Sequence, residues 1–566
     1  MGARRETSRP KAPAPKPEAA EGSDEIARAR ACYGRRAWAE AHRWFSAADA
    51  RTPLPPEDLE PYAIAADLAG RTDDFLLIME RLYQRLVENA EETRAARAAC
   101  WLGIRLSALR EPGRASGWLA RAQRLADRSD CVERGYLLLP VVHRGLSTGQ
   151  LEAACVAAVE AIEIGDRFRD ADLGAFARCL HGRALIRKGE VDRGMALLDE
   201  AMLAVTNGEV GPVLTGLIYC SAIAVCQQVY AVDRSREWTA ALAGWCDAQP
   251  ELVPFSGICL VHRAELMQLH GAWPEAIDEA RRATRCVQGR TDPQTTADSL
   301  YQQAEVHRLR GDFVEAERDY RAAGELGREA QPGVALLRLA QGRAVDAASA
   351  IRRVLGATRD LLQRARMLPA AVDILLAAGD LEEARRACGE LGQIAGDFGT
   401  EVLGAMAGHA LGAVEIADGH PGAAIEPLHR ALAVWQQVGA PYIAARVRVL
   451  LAGACRALGD GDTARLELEL AREVFERLGA APDLAALEAA GGRGKSPAPG
   501  GLSARELEVL LLVASGKTNK VIAKQLFISE KTIDRHVSNI FTKVNVASRS
   551  AATAYAYDHG LVKSRG

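Results

Sequence analysis

Gly516-Lys517-Thr518 is the tripeptide with which a phosphate-binding loop ends. In such a loop the glycines let backbone N–H groups cradle phosphate, the lysine reaches the terminal phosphates and the threonine hydroxyl binds magnesium. That chemistry requires G-x-x-x-x-G-K-[ST], with a strand before it and a helix after it. Leu511 stands five positions before Gly516, and the preceding residues have a helical rather than a strand period. No other segment supplies the motif. Nucleotide hydrolysis is therefore not expected, and the tripeptide needs another role.

Metal and thiol chemistry are not expected either. His143, His181, His262, His270, His307, His409, His420 and His429 form no H-x-x-x-H or H-E-x-x-H spacing. The twelve cysteines contain no C-x-x-C pair. Most lie in apolar helical stretches, as Cys155 does in "LEAACVAAVEA", and read as buried reduced thiols. The sequence predicts no metal site, no cofactor and no catalytic group.

The elements around the tripeptide give it a role. Ser503-Ala504-Arg505-Glu506 is a capping box that opens a helix with Leu507, Val509, Leu510 and Val513 as its apolar stripe. Gly516 stops that helix, and Thr518 or Asn519 caps a second one carrying Val521, Ile522, Ala523 and Leu526. Phe527-Ile528-Ser529 makes a tight turn, and Ser529 caps a third helix. There Ile533, Val537, Ile540 and Val544 recur at i, i+4, i+7 and i+11, which predicts one buried face. The opposite face carries Lys531, Asp534, Arg535, Ser538, Asn539 and Thr542, with Lys543 beside it. A fourth helix begins at Ser548 and ends near His559-Gly560. A short helix, a tight turn and a helix with a polar outer face are the parts of a DNA-binding helix-turn-helix; here it spans Asn519 to Ser538.

Charge agrees with this. The chain of 566 residues has a formal charge of −3. From Leu502 onward, however, ten Lys and Arg face five Asp and Glu. A small basic unit follows an acidic body, which points to an anionic partner for the former.

Residues 502–563 resemble the four-helix DNA-binding domain of LuxR-type regulators. Leu502, Glu506, Gly516, Lys520, Ile528, Thr532, His536, Asn539, Val546 and Arg549 are among the matching positions. The resemblance implies a recognition helix in the major groove of promoter DNA. Asp534, Arg535 and Ser538 would face bases; Lys520, Lys531, Thr532, Asn539 and Lys543 would hold phosphates. Asp534 stands where a basic residue is common, and an aspartate accepts from cytosine N4 or orients Arg535. One domain of this size buries little DNA surface and should bind weakly alone, so a homodimer on paired half-sites is expected, with RNA polymerase as a further partner.

The rest of the chain repeats itself. The segments 181–202, 303–324 and 411–432 share a small residue, a glycine seven positions later, an Ala or Gly after five more, then a bulky residue and an alanine. The marks are Gly182/Gly189/Gly194/Leu198/Ala201, Ala304/Gly311/Ala316/Tyr320/Ala323 and Gly412/Gly419/Ala424/Leu428/Ala431. Small residues let two helices approach, and the glycine ends the first of them in a left-handed conformation. Equivalent turns are predicted at Arg36, Gly70, Arg110, Gly149, Gly189, Tyr230, Gly271, Gly311, Gly342, Gly379, Gly419 and Gly459, spaced mostly 37 to 41 residues apart. The pattern resembles the tetratricopeptide repeat with a longer period, and implies an α-solenoid of about twelve hairpins.

The predicted fold is thus all-α: a tail over 1–23, a tetratricopeptide-like α-solenoid over 24–490, a Gly/Pro linker over 491–501 and a helix-turn-helix domain over 502–563. No apolar run approaches a membrane span, and the N-terminus lacks a signal peptide, so a cytoplasmic, nucleoid-associated protein is expected. The function predicted is sequence-specific transcriptional regulation, with the solenoid sensing a protein or small-molecule signal. The alternative is a scaffold or signalling solenoid that its DNA-binding unit only localises.

Overall fold

The computed structural model describes residues 17–249, 251–287, 293–492, 501–502, 504–526, 530–559 and 561. Among them every long element is an α-helix, and no extended strand occurs. The first helix, Pro17–Gly34, begins inside the segment predicted as a tail, where Glu18, Ala19 and Ala20 favour helix. Most of the predicted linker, and the Phe527-Ile528-Ser529 turn, fall outside the described residues.

Helices from Pro17 to Leu478 pair as twelve antiparallel hairpins, and Ala481–Gly492 follows the last. Each of the twelve predicted turns holds a residue with positive φ, from 57° at Tyr230 to 90° at Gly189 and Gly311. Gly189 shows the mechanism. Its N–H bonds to the Ile186 carbonyl at 2.9 Å while the Glu190 N–H reaches back to the Leu185 carbonyl at 2.9 Å. These two bonds satisfy carbonyls that the ending helix leaves open.

Packing explains the small residues of the repeat. A Cβ on Gly182 would lie 2.6 Å from the Gly194 carbonyl oxygen, and one on Gly412 would lie 2.4 Å from the Leu428 side chain. The matching bulky residues Leu198, Tyr320 and Leu428 are buried between the paired helices. Close backbone approach at one level and a large side chain at the next produce an interdigitated core.

The first helices of successive hairpins touch one another, as Pro293–Arg310 touches Ser256–Leu269 and Gly333–Ala340. The second helices make no comparable contact, so the stack curves with its first helices inside. Successive superhelical turns also meet. Trp38 Nε1 donates to Gln249 Oε1 at 3.1 Å, in a buried contact spanning 211 residues. The Ala39 N–H donates to Glu251 at 2.9 Å, and the Val253 N–H to the Leu68 carbonyl at 3.0 Å. Farther along, Arg187 pairs with Asp360, and the Trp273 ring lies 5.5 Å from that of Tyr442.

The twelve cysteines are all unpaired, and ten of them are buried. No helix among the described residues is long and apolar enough to cross a membrane.

Candidate nucleic-acid interface

Four helices, Ala504–Ala514, Asn519–Gln525, Glu530–Lys543 and Arg549–Asp558, build the C-terminal unit. Gly516 (φ +80°) ends the first of them. The Gly516 N–H bonds to the Val513 carbonyl at 3.0 Å, and the Lys517 N–H to the Leu512 carbonyl at 3.2 Å. Thr518 then caps the second helix, its hydroxyl accepting from the Val521 N–H. The tripeptide that resembles the end of a phosphate loop is a helix stop followed by a helix start.

The core of the unit comes from one face of each helix. Val509, Leu510, Ile522, Ile533, Ile540, Ala552 and Ala556 are almost fully buried together, with Val537 and Val544 at the edge. Burying the Ile533/Val537/Ile540/Val544 stripe forces the other side of Glu530–Lys543 outward. Lys531, Thr532, Asp534, Arg535, Ser538 and Lys543 are accordingly exposed, Asn539 is half-buried, and Lys520 is exposed on the preceding helix. Eight site residues predicted from sequence thus occur on one helix pair, seven on the outer helix and one on its partner.

Their local engagements differ. Arg535, Lys531 and Lys520 make no hydrogen bond or ion pair with any described residue, so three cationic groups stand ready for an anion. Asp534 accepts from Asn519 Nδ2 at 2.7 Å rather than orienting Arg535. Asn519 Oδ1 in turn accepts from Arg549 Nη1 at 2.8 Å, and the same guanidinium donates to the Lys517 carbonyl. Lys543 is ion-paired at 2.7 Å with Glu506, whose side chain is buried. Arg505 Nη2 donates to the Leu526 carbonyl at 3.1 Å, at the end of the second helix. The sequence reading of the site did not include Asn519, Arg549 and Glu506 as positioning groups. An Asn at the first helical position after a Thr cap, and one buried acid in a basic unit, were the available signals. Half-buried His536 has its pKa lowered by burial, and then by the Arg505 charge.

Comparison with known proteins bears on this end of the chain. The family described as "Bacterial regulatory proteins, luxR family" matches residues 501–556. Transcriptional regulatory protein LiaR of Bacillus subtilis (strain 168) is 49% identical over 61 residues, 11% of this chain and 29% of that protein. Response regulator protein VraR of Staphylococcus aureus (strain Mu3 / ATCC 700698) is 45% identical over 62 residues, 11% of this chain and 30% of that protein. The chain thus spans less than a third of the length of these relatives. Two solved structures align with the repeats. One is the Cut9 and Hcn1 hetero-tetramer of APC/C, at TM-score 0.41 and 12% identity, covering 84% of this chain and 91% of that one. The other is a Rap protein complexed with Competence and Sporulation Factor, at TM-score 0.36 and 16% identity, covering 56% and 98%. Matched in sequence over 501–556, and built as a helix-turn-helix with a free cationic face, the C-terminal unit of this all-α chain is a DNA-binding domain of the LuxR family of bacterial regulatory proteins.

Proposed function

We propose that this chain is a sequence-specific transcriptional regulator whose helix Glu530–Lys543 reads promoter DNA in the major groove. The observation that carries the reading is the two-sided character of that helix. Its buried stripe fixes its orientation, and its outer face presents Arg535, Ser538 and Lys531 to solvent. Arg535, Ser538 and Asp534 would meet base edges, while Lys520, Lys531, Thr532 and Asn539 would hold phosphates and set register. Lys543 would reach phosphate only in exchange for Glu506, or while paired with it. One unit of this size buries little DNA surface, so a homodimer on two half-sites is the binding form. RNA polymerase is the further partner, and a cytoplasmic, nucleoid-associated location follows from binding DNA. The solenoid, in this reading, senses a protein or small-molecule signal and carries no catalysis.

The test is fluorescence anisotropy of the intact chain on genomic fragments selected by mapping its bound DNA. Binding should be sequence-dependent and should weaken steeply with salt. No DNA affinity at low ionic strength would sink the proposal.

A further inference from the structure

Two successive turns of the superhelix meet along a seam, and a cleft of about 390 Å³ opens there. Ala39 and Ala69 line it from hairpins one and two. Glu251, Leu252, Val253 and Ser256 line it from the junction of hairpins six and seven, with Cys286 at the end of the helix Trp273–Cys286. The seam around the cleft is closely made. The Val253 N–H donates to the Leu68 carbonyl at 3.0 Å, Trp38 Nε1 donates to Gln249 at 3.1 Å, and a Cβ on Gly70 would lie 2.7 Å from Val253 Cγ1. These contacts fix the two sides relative to each other, and the volume falls in the range of small-ligand sites.

The oxygen-bearing side chains of the cleft are acceptors. Glu251 Oε2 accepts from the Ala39 and Glu40 N–H groups at 2.9 and 3.2 Å. These are first-turn donors of the helix Trp38–Arg51, which has no side-chain cap of its own. Only backbone stands opposite the Glu251 charge, for no Lys, Arg or His among the described residues pairs with it. The Ser256 hydroxyl donates its proton to the Leu252 carbonyl at 2.6 Å, so its oxygen also presents lone pairs. Ala39, Ala69, Leu252 and Val253 supply the apolar part of the lining. Cys286 is exposed, and its thiol is a weak hydrogen-bonding group.

A half-buried carboxylate held by two N–H groups keeps further lone pairs open, and a positively charged donor completes it best. An anion would be repelled by Glu251, and an alcohol would gain only the weaker hydrogen bond of an uncharged donor. The alanine methyls, Leu252 and Val253 would take an apolar body out of water. We infer that the seam cleft at Glu251 is a binding site for a small organic cation, a primary or secondary amine on a compact apolar frame. Its two sides belong to different superhelical turns, so a bound amine ties those turns together and favours the closed seam. This deepens the sensing role proposed above and rests on it for its regulatory meaning.

The experiment uses the intact chain and probes of similar size: phenethylamine, phenethyl alcohol and hydrocinnamate, which are a cation, a neutral molecule and an anion at neutral pH. The readout is the rate at which iodoacetamide alkylates Cys286, followed by peptide mass spectrometry, since Cys286 is exposed while ten other cysteines are buried. The amine should protect Cys286 at concentrations about fivefold to tenfold lower than the alcohol, and hydrocinnamate should not protect it. Glu251→Gln keeps an acceptor oxygen for the Ala39 and Glu40 N–H groups and should bring the amine and the alcohol to equal protection. Ala39→Leu, which extends a side chain at the cleft, should weaken protection by both. Melting of each variant by circular dichroism separates these losses from misfolding, and the wild-type comparison of the probes decides the matter where a variant melts early. Protection by no probe, protection by the alcohol or hydrocinnamate at the same concentration as the amine, or an undiminished amine preference in Glu251→Gln would overturn the inference. Thiol protection is read without DNA, so a chain that fails to bind DNA counts against the proposed function and not against this site.

Discussion

Asn519 and Asp534 are joined by a 2.7 Å hydrogen bond that crosses the helix-turn-helix. Arg549 holds Asn519 from the fourth helix, so one chain of contacts fixes the second, third and fourth helices together. Asn519→Ala removes the middle of that chain and leaves Arg549 without this partner. A loss of about 1–2 kcal/mol in domain stability is expected, with weaker DNA binding in proportion to misaligned helices. Thermal melting alongside anisotropy checks it, and a variant with unchanged melting and unchanged affinity would contradict the positioning role.

Arg535 and Lys531 should separate specificity from affinity. Arg535→Ala is expected to cost about 1–3 kcal/mol on the preferred sequence and to flatten discrimination there. Lys531→Ala should weaken all sequences alike and lower the salt slope by about one. Competition titrations at several salt concentrations distinguish the two patterns.

Two turns should respond oppositely to glycine. Arg110 adopts φ +59° and Gly189 φ +90° in equivalent hairpin turns. Arg110→Gly relieves left-handed strain and should stabilise by about 0.5–1 kcal/mol, after the entropy that glycine adds to the unfolded chain. Gly189→Ala should destabilise by about 1–2 kcal/mol. Both effects are readable as shifts in denaturation midpoint.

Helix spacing inside a hairpin depends on the absence of a side chain. A Cβ at Gly182 would meet the Gly194 backbone, which cannot rotate away. Gly182→Val is therefore expected to cost about 2–3 kcal/mol or more, and equilibrium unfolding measures it.

Acid should loosen the solenoid. Burial holds His409 at about 4 and lowers His262 and His181 from their ordinary 6.5. Above pH 6.5 both folded and unfolded chains hold these rings neutral, and no stability depends on them. As pH falls below 6.5 the unfolded chain takes up protons first, so stability declines until the folded pKa is passed, near pH 4 for His409. Melting temperature followed from pH 7 to 4 should fall through that window, and His409→Gln should make the fall shallower.

Local information was legible in the sequence. The twelve left-handed turns were placed at Arg36 through Gly459 because a helix stop depends on a residue or two and the bonds around it. The buried stripe of Glu530–Lys543 was legible for the same reason, since a period of 3.6 is a property of one helix. The family resemblance over the last sixty residues followed from fixed spacing within that unit. What only the tertiary structure decided are contacts between elements far apart in the chain. Asp534 turns to Asn519 rather than Arg535, and Lys543 to Glu506, because the helices cross where those side chains meet. Trp38 reaches Gln249 because small rotations from one hairpin to the next accumulate over a superhelical turn. A repeat period states that hairpins stack; the angle between them, set by many side chains at once, determines which of them come back into contact.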